Sequence, residues 1–119
     1  MGQSYSFDEE AAEKYLSARE HEIRQLNEHE RLKMLEQCTN VLKDYFQNGM
    51  VEVYLVGSII QPFQFHKNSD IDIVLKGFTG DRFEIWTKLE KALNRSVEII
   101  PFETCHFQEH ILKYGLKVI

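Results

Sequence analysis

The chain has 119 residues, of which 43% are hydrophobic, so we expect one compact domain with a single core. Its formal net charge of −5 disfavours binding to a nucleic-acid backbone, which requires a basic patch, and favours a basic protein partner. No apolar run approaches the ~18 residues needed to span a bilayer, and the two cysteines form no disulfide framework, so we expect a cytoplasmic protein without membrane contact.

The first third of the chain has a helical composition. Residues 6–48 contain no glycine or proline, Ser6 and Glu9 have the spacing of a capping box, and Gly49 would end the helix. The segment carries a narrow apolar stripe and a wider one: Ala12, Leu16, Ile23 and Leu26, then Met34, Leu35, Cys38, Leu42, Tyr45 and Phe46. Because residues 27–31 between the stripes are polar, either one long helix or two helices broken near Asn27 would satisfy the pattern.

The two stripes have different expected roles. The wider stripe predicts core packing against a sheet. The narrow stripe falls on a charged segment, and we expect it to lie on its own domain, with the alternative that it projects and meets another chain. We divide the chain into a helical segment, residues 1–49, and a core, residues 50–119, which together form one domain.

A short strand and a tight turn open the core. Residues 51–56 are rich in β-branched and aromatic types and stop at Gly57, which predicts a strand that enters a turn. Ser58 would cap a short helix that begins at Ile59, and Pro62 would limit this helix to about one turn. Unpaired N–H groups at its start would favour a bound anion.

Carboxylates mark the next two strands. In the strand predicted over residues 69–75, alternation places Asp70 and Asp72 on one face and the intervening isoleucines on the other. Glu98, in the strand predicted over residues 96–101, would join this acidic face if the two strands are neighbours. Like charges beside apolar strands are unfavourable unless cations neutralise them, so the pattern predicts a divalent metal site.

The remaining elements follow from turn and capping signals. Residues 77–80 break the chain, and Asp81 with Glu84 predicts a helix that runs to about Leu93. Its inner side is expected to carry Phe83, Trp86 and Leu89 or Leu93, with Trp86 in the core.

The tail is predicted to hold a helix over residues 107–114, stopped by Gly115, and a short last strand. His106 and His110 would share a face of this helix, with Cys105 beside them, as a possible metal pair. No further ligand is visible in the sequence, so the interpretation as surface histidines is preferred.

Together these residues resemble a known family. Gly57-Ser58, Asp70-x-Asp72 and Glu98 occur in the order found in the polymerase-β-like nucleotidyltransferases. Within this superfamily the chain is similar to the minimal nucleotidyltransferase (MNT) antitoxins of HEPN/MNT toxin–antitoxin pairs. The resemblance covers residues 50–119 and implies an α/β (α+β) fold, with helices packed on a small mixed sheet.

The resemblance also implies a reaction. MNT antitoxins transfer AMP from ATP to a tyrosine hydroxyl of a cognate HEPN ribonuclease toxin, which implies ATP as substrate, two Mg²⁺ ions and a hetero-oligomeric complex with the toxin. The catalytic and metal-binding residues would be Asp70, Asp72 and Glu98. The nucleotide would be bound by Gly57, Ser58, Lys67 and Ser69, whereas for His66 and Lys67 a solvated loop is an equal alternative.

Two other functions stay open. Ile60 and Pro62 stand where the family usually has a small residue and a glycine, so a catalytically degenerate antitoxin that acts by binding alone is one alternative. The other is a nucleotidyltransferase for small molecules, which is less expected because 119 residues leave no second domain to build an acceptor pocket.

Overall fold

The computed structural model describes residues 8–47 and 49–119. Along this part of the chain the elements are α1 (Glu9–Tyr45), β1 (Glu52–Val56), β2 (Ile71–Lys76), α2 (Arg82–Leu93), β3 (Val97–Pro101), α3 (Gln108–Tyr114) and β4 (Leu116–Lys117). Two 3₁₀ turns, Gly57–Ile60 and Phe102–Thr104, follow β1 and β3. The predicted α/β fold, with helices packed on a small mixed sheet, is confirmed.

The sheet has the strand order β3-β2-β1-β4. Strand β1 is antiparallel to both β2 and β4, whereas β2 and β3 are parallel and are joined through α2, as a parallel pair requires. In this register Asp72 lies directly opposite Glu98. The expectation that the Glu98 strand neighbours the Asp72 strand is therefore confirmed.

Apolar side chains fill both faces of the sheet. The face covered by α1 and α2 carries Val53, Leu55, Ile71, Ile73 and Leu75, which pack with Cys38, Leu42 and Leu89 of the helices. The opposite face carries Tyr54 and Val74, which pack with Phe102 and with Ile111 of α3. Since side chains alternate along a strand, Asp72 and Glu98 belong to this second face.

Helix α1 is one unbroken helix of 37 residues, so the alternative of two helices is wrong. Its N-cap is Asp8, whose Oδ1 accepts a hydrogen bond from the Ala11 N–H at 3.1 Å; Ser6 of the predicted capping box lies outside the described residues. The helix ends before Gly49, because Phe46 leaves helical geometry and packs edge-on against Phe78 with ring centroids 6.0 Å apart.

The polar segment in the middle of α1 holds the loop that follows β1. Arg31, which is 6% exposed, donates from Nη1 to the Ile59 carbonyl at 3.0 Å and from Nε and Nη2 to the Glu28 carboxylate at 2.8 and 2.7 Å. Glu28 Oε1 also accepts from the Phe63 N–H at 2.8 Å. The bonds from Arg31 and then Phe63 lower the pKa of Glu28 to about 2. Glu28 and Arg31 therefore form a tertiary latch, and the helix is not broken at residues 27–31.

The narrow stripe on the N-terminal half of α1 projects into solvent. Leu16, Ile23 and Leu26 are 56%, 49% and 61% exposed, so the expectation that this stripe lies on its own domain is wrong. The physical reason is length: 37 residues at ~1.5 Å each span about 55 Å, far more than strands of five or six residues can cover. Of the wider stripe, Cys38, Leu42 and Phe46 are buried as predicted, but Tyr45 is 43% exposed.

Helix α2 begins as its capping signal indicates, because the Asp81 side chain accepts from the N–H groups of Phe83 and Glu84. Its buried line consists of Ile85, Leu89 and Leu93. Phe83 and Trp86 lie beside this buried line and not on it. The predicted inward position of Phe83 is therefore wrong, since Phe83 is 69% exposed, whereas Trp86 is half-buried. None of the helices in the described residues is both long and apolar enough to cross a membrane.

Deleting residues 1–27 should leave the remaining chain folded, because the truncated protein keeps the latch and the buried stripe of α1. We expect its melting temperature (Tm), followed by circular dichroism, to stay within a few degrees of that of the full chain. A large loss of Tm would show that the exposed stripe contributes to the core.

Arg31→Met in the full chain is the matched comparison, because it removes the donor to Ile59 and leaves Glu28 without its cation but keeps an unbranched apolar stem. We expect this substitution to lower Tm by several degrees, which is more than the deletion does. If Arg31→Met melts like the wild type, the latch is not what fixes α1 to the loop.

Candidate active site

Three carboxylates come together at one end of the sheet. Asp72 in β2 faces Glu98 in β3, and Asp70 lies two residues before Asp72 on the same side of the chain. The Ile71 N–H donates to the Ser96 carbonyl at 2.9 Å, which keeps this stretch beside β3. The structure thus places the predicted acidic residues together, with Asp72 half-buried and the other two carboxylates exposed.

The electrostatics of Asp72 reflect this crowding. Burial is the main reason that its pKa rises from the ordinary 3.8 to about 6, and the negative charges of Glu98 and Asp70 raise it further. A carboxyl group with such a pKa carries charge that its surroundings do not compensate. Titratable groups perturbed in this way are frequent at functional sites.

The donor set suits a hard cation, because carboxylate oxygens are the ligands that Mg²⁺ prefers. Across residues 8–47 and 49–119, however, no three His, Cys, Asp or Glu side chains already converge as a metal centre. Glu98 is within hydrogen-bonding reach of Asp72, so a cation bound by this pair would relieve the repulsion between the two carboxylates. Metal binding stays a prediction.

The backbone at Gly57 lies against the Asp72 carboxylate. Gly57 has φ +80°, and a Cβ atom at this position would overlap with Asp72 Oδ2. The register explains the contact, because Val56 is the partner of Asp72 in the antiparallel pair and Gly57 follows it directly. Any other residue at this position would combine a strained φ with a clash against the acidic group.

The turn itself differs from the prediction. It is a 3₁₀ turn that begins at Gly57 and not at Ile59, and its N-cap is Val56 without a side-chain hydrogen bond, so the predicted capping role of Ser58 is wrong. The turn ends at Ile60, before Pro62. Four residues are too few for the dipole of a regular helix, so anion binding here would depend on individual N–H groups.

An arginine that sequence reasoning missed holds the loop in front of Asp70. Arg95 donates from Nε to the Ser69 carbonyl at 3.0 Å and from Nη2 to the His66 carbonyl, and its guanidinium lies 4.3 Å from the centre of the Phe65 ring. Ser69 Oγ accepts from the His66 N–H at 2.8 Å. Ser69 therefore stabilises this loop, and its predicted contact with nucleotide stays a prediction.

Two other residues of the sequence prediction lie apart from the carboxylates. Lys67 and His66 line a separate groove of about 320 Å³, together with Asn27 and Glu30 of α1. Their contact with phosphate also stays a prediction. His106 precedes α3, which begins at Gln108, so the expectation that it shares a helix face with His110 is wrong.

Two grooves flank the carboxylates, and the sequence did not reveal either of them. The α3 groove, about 350 Å³, is lined by Val56, Gly57, Ile60, Gln61, His110, Tyr114 and Gly115. The α2 groove, about 540 Å³, is lined by Asp70, Arg82, Phe83, Trp86, Val97, Glu98 and Ile99. The sequence does place aromatic residues three or four positions apart on α2 and α3, which could have indicated these grooves. Such spacing is equally typical of helix residues that pack in a core.

Structure comparison places this arrangement among known folds. The structure is similar to that of a mutant MntA–HpeT toxin–antitoxin complex, with 23% identity, a TM-score of 0.56, and 68% of this chain and 71% of that chain covered. It is also similar to a crystal structure described as a toxin–antitoxin with AMP-PNP, with 27% identity, a TM-score of 0.55, and 71% and 72% covered. The chain has the MNT fold. No protein-family model and no curated protein matches the sequence.

The structural similarity confirms the fold that the resemblance to MNT antitoxins implies. The motif residues on which the resemblance rests are neighbours in this fold. They lie at the ends of three adjacent strands: Gly57, Asp72 and Glu98.

Gly57→Ala should disturb the candidate site beyond the cost of a positive φ. Gly49→Ala is the matched control, because Gly49 has φ +71° but no atom within 4 Å of the place that a Cβ atom would occupy. We expect Gly57→Ala to lower the free energy of unfolding by about 1–3 kcal/mol more than Gly49→Ala in urea titrations. Adding Asp72→Ala should recover part of that loss, because it removes the clashing oxygen. Equal losses at the two glycines would contradict the close approach.

Asp72→Asn should stabilise the metal-free protein at pH 8. Since the folded-state pKa of Asp72 is about 6 and its ordinary value is 3.8, ionisation costs stability above pH 6, and the cost disappears as the pH falls to about 4. In EDTA, the Tm of the variant minus that of the wild type should therefore increase from pH 4 to pH 6 and then level off. A difference that stays constant from pH 4 to pH 8 would rule out a raised pKa.

Proposed function

We propose that this protein is an antitoxin nucleotidyltransferase that transfers AMP from ATP to a tyrosine hydroxyl of a cognate HEPN ribonuclease toxin. The observation that carries the proposal is the contact of the Gly57 backbone with Asp72, with Glu98 opposite on the next strand. This contact joins a tight turn that can approach phosphate to carboxylates that can bind divalent cations.

The structural neighbours support two parts of this proposal, the nucleotide and the kind of partner. The neighbour with 27% identity is a toxin–antitoxin crystallised with AMP-PNP, an ATP analogue. It supports ATP as the nucleotide and a toxin as the partner of this chain. The tyrosine acceptor, the HEPN nature of the toxin and the transfer of AMP rest on the resemblance of the motif residues.

The proposed reaction assigns a task to each residue. Asp70, Asp72 and Glu98 would hold two Mg²⁺ ions, which when bound supply positive charge to the triphosphate. The N–H groups of the Gly57 turn would hold the pyrophosphate oxygens. A bond forms between the tyrosine oxygen and the α-phosphorus while the bond from that phosphorus to pyrophosphate breaks, and Glu98 accepts the proton of the hydroxyl.

A binding-only antitoxin is the second candidate, and the exposed stripe of α1 favours it. Leu16, Ile23 and Leu26 present an apolar surface that is separate from the carboxylates. A partner held there could be neutralised by masking, without any transfer.

Intact mass spectrometry of the toxin separates the two candidates. After incubation with ATP and Mg²⁺, the wild type should add one or more AMP units to the toxin, and both EDTA and Asp72→Asn should abolish this mass gain. The substitution keeps the size of the side chain, so the fold and the partner contact should persist. Asp44→Asn, which neutralises an exposed carboxylate on α1, is the charge-matched control and should transfer normally.

A growth-rescue assay completes the test. If wild type gives no adduct with any nucleotide, and Asp72→Asn still rescues cells from the toxin, the transferase proposal is rejected and masking remains.

A further inference from the structure

The α2 groove adjoins the carboxylates along the open edge of β3. It is lined by the carboxylates of Asp70 and Glu98 and by the aromatic side chains of Phe83 and Trp86 of α2, which are called the aromatic wall below. Its volume of about 540 Å³ lies within the range of ~300–1,000 Å³ that is typical of sites for small ligands and side chains.

A hydrogen bond to β3 holds the aromatic wall in place. Trp86 Nε1 donates to the Val97 carbonyl at 2.7 Å, and Val97 is the residue directly before Glu98. The Phe83 ring lies 5.7 Å from the Trp86 ring at an angle of 46°, and the Phe83 side chain stays 69% exposed. The wall is therefore preformed and aromatic, and it is fixed to the same strand that carries a catalytic carboxylate.

The edge of β3 is closed to strand addition at this point. The Val97 N–H donates to Glu90 Oε2 at 2.9 Å, and the Val97 carbonyl is occupied by Trp86. A partner segment at this position cannot pair with these backbone groups as an added strand. It has to be recognised through side chains.

The strand order sets the side from which an acceptor enters, and this step rests on the proposed function. The Gly57 turn follows β1 and Glu98 lies in β3, so they flank Asp72 of β2 from opposite sides. In an in-line displacement the attacking and leaving oxygens lie on opposite sides of the phosphorus. With pyrophosphate at the Gly57 turn, the acceptor hydroxyl arrives beside Glu98, where the α2 groove opens.

We propose that Phe83 and Trp86 form an acceptor platform: they stack the ring of a tyrosine from the protein partner and thereby select a phenolic over an aliphatic hydroxyl. Aromatic rings associate in offset or tilted arrangements, and a tyrosine that lies on Phe83 occupies the groove that Glu98 also lines. Serine and threonine lack a ring for this contact. The competing occupant of the groove is the base of ATP.

Binding is tested through Trp86, which is the single tryptophan of the chain and therefore gives one indole N–H signal in ¹H–¹⁵N NMR spectra. N-acetyltyrosinamide should shift this signal, whereas N-acetylserinamide should not. A shift caused by ATP with Mg²⁺, without a response to the tyrosine amide, would assign the groove to the base and overturn the proposal. No response to either compound would overturn it as well.

Transfer to N-acetyltyrosinamide provides the second test. Phe83→Ala should raise the KM for this acceptor about tenfold and leave the Kd for ATP unchanged. Phe107→Ala is the matched control, because Phe107 is also exposed and lines neither groove; it should change neither constant.

The two proposals fail in different ways. If the wild type transfers AMP and Phe83→Ala has an unchanged KM, the platform is overturned and the transferase stands. If no transfer occurs with any acceptor, the transferase proposal fails. The NMR test still decides on the platform: in Phe83→Ala, N-acetyltyrosinamide should no longer shift the Trp86 indole signal.

Discussion

The approach of the Gly57 backbone to the Asp72 carboxylate is the constraint on which the site depends. It requires β1 to end at Val56, β2 to pair in a register that puts Asp72 opposite Val56, and a residue without a Cβ atom directly after Val56. Asp72 is half-buried at this place, and burial is the main cause of its raised pKa. A site of this kind is less stable without a cation than an apolar strand end would be, which is a usual property of active sites.

Contacts at both ends fix the loop that connects β1 to β2, and they offset the loss of stability at Asp72. Arg31 and Glu28 of α1 bind the backbone at Ile59 and Phe63, at the start of the loop. Arg95 binds two carbonyl groups at its end, directly before Asp70. Because buried backbone groups without partners are costly, these side chains set the path of a segment that has no regular structure of its own.

The sequence predicts the sheet and its acidic face well, because alternation along short strands leaves few arrangements for Asp70, Asp72 and Glu98. It predicts the contacts of polar residues poorly. Glu28 and Arg31 look like a solvated break in a helix, since their partners lie some thirty residues away in a loop. Phe83 looks like a core residue, because the periodicity of a helix shows which residues share a face but not whether a neighbour covers that face. Ser58 fits an N-cap pattern, but the turn starts at Gly57, two residues before the predicted start at Ile59.

Helix α1 connects the exposed stripe to the site through one continuous element. Leu26, at the end of that stripe, is two residues from Glu28 and five from Arg31, and the whole segment is helical. A helix is a stiff element because each turn is hydrogen-bonded to the preceding one, and Arg31 joins this helix to the carbonyl of Ile59 in the turn that begins at Gly57. A partner that binds the stripe would therefore contact the same rigid body that positions the turn. The buried residues of α1 all lie in its C-terminal half, so its exposed N-terminal half is not needed to cover the four-stranded sheet.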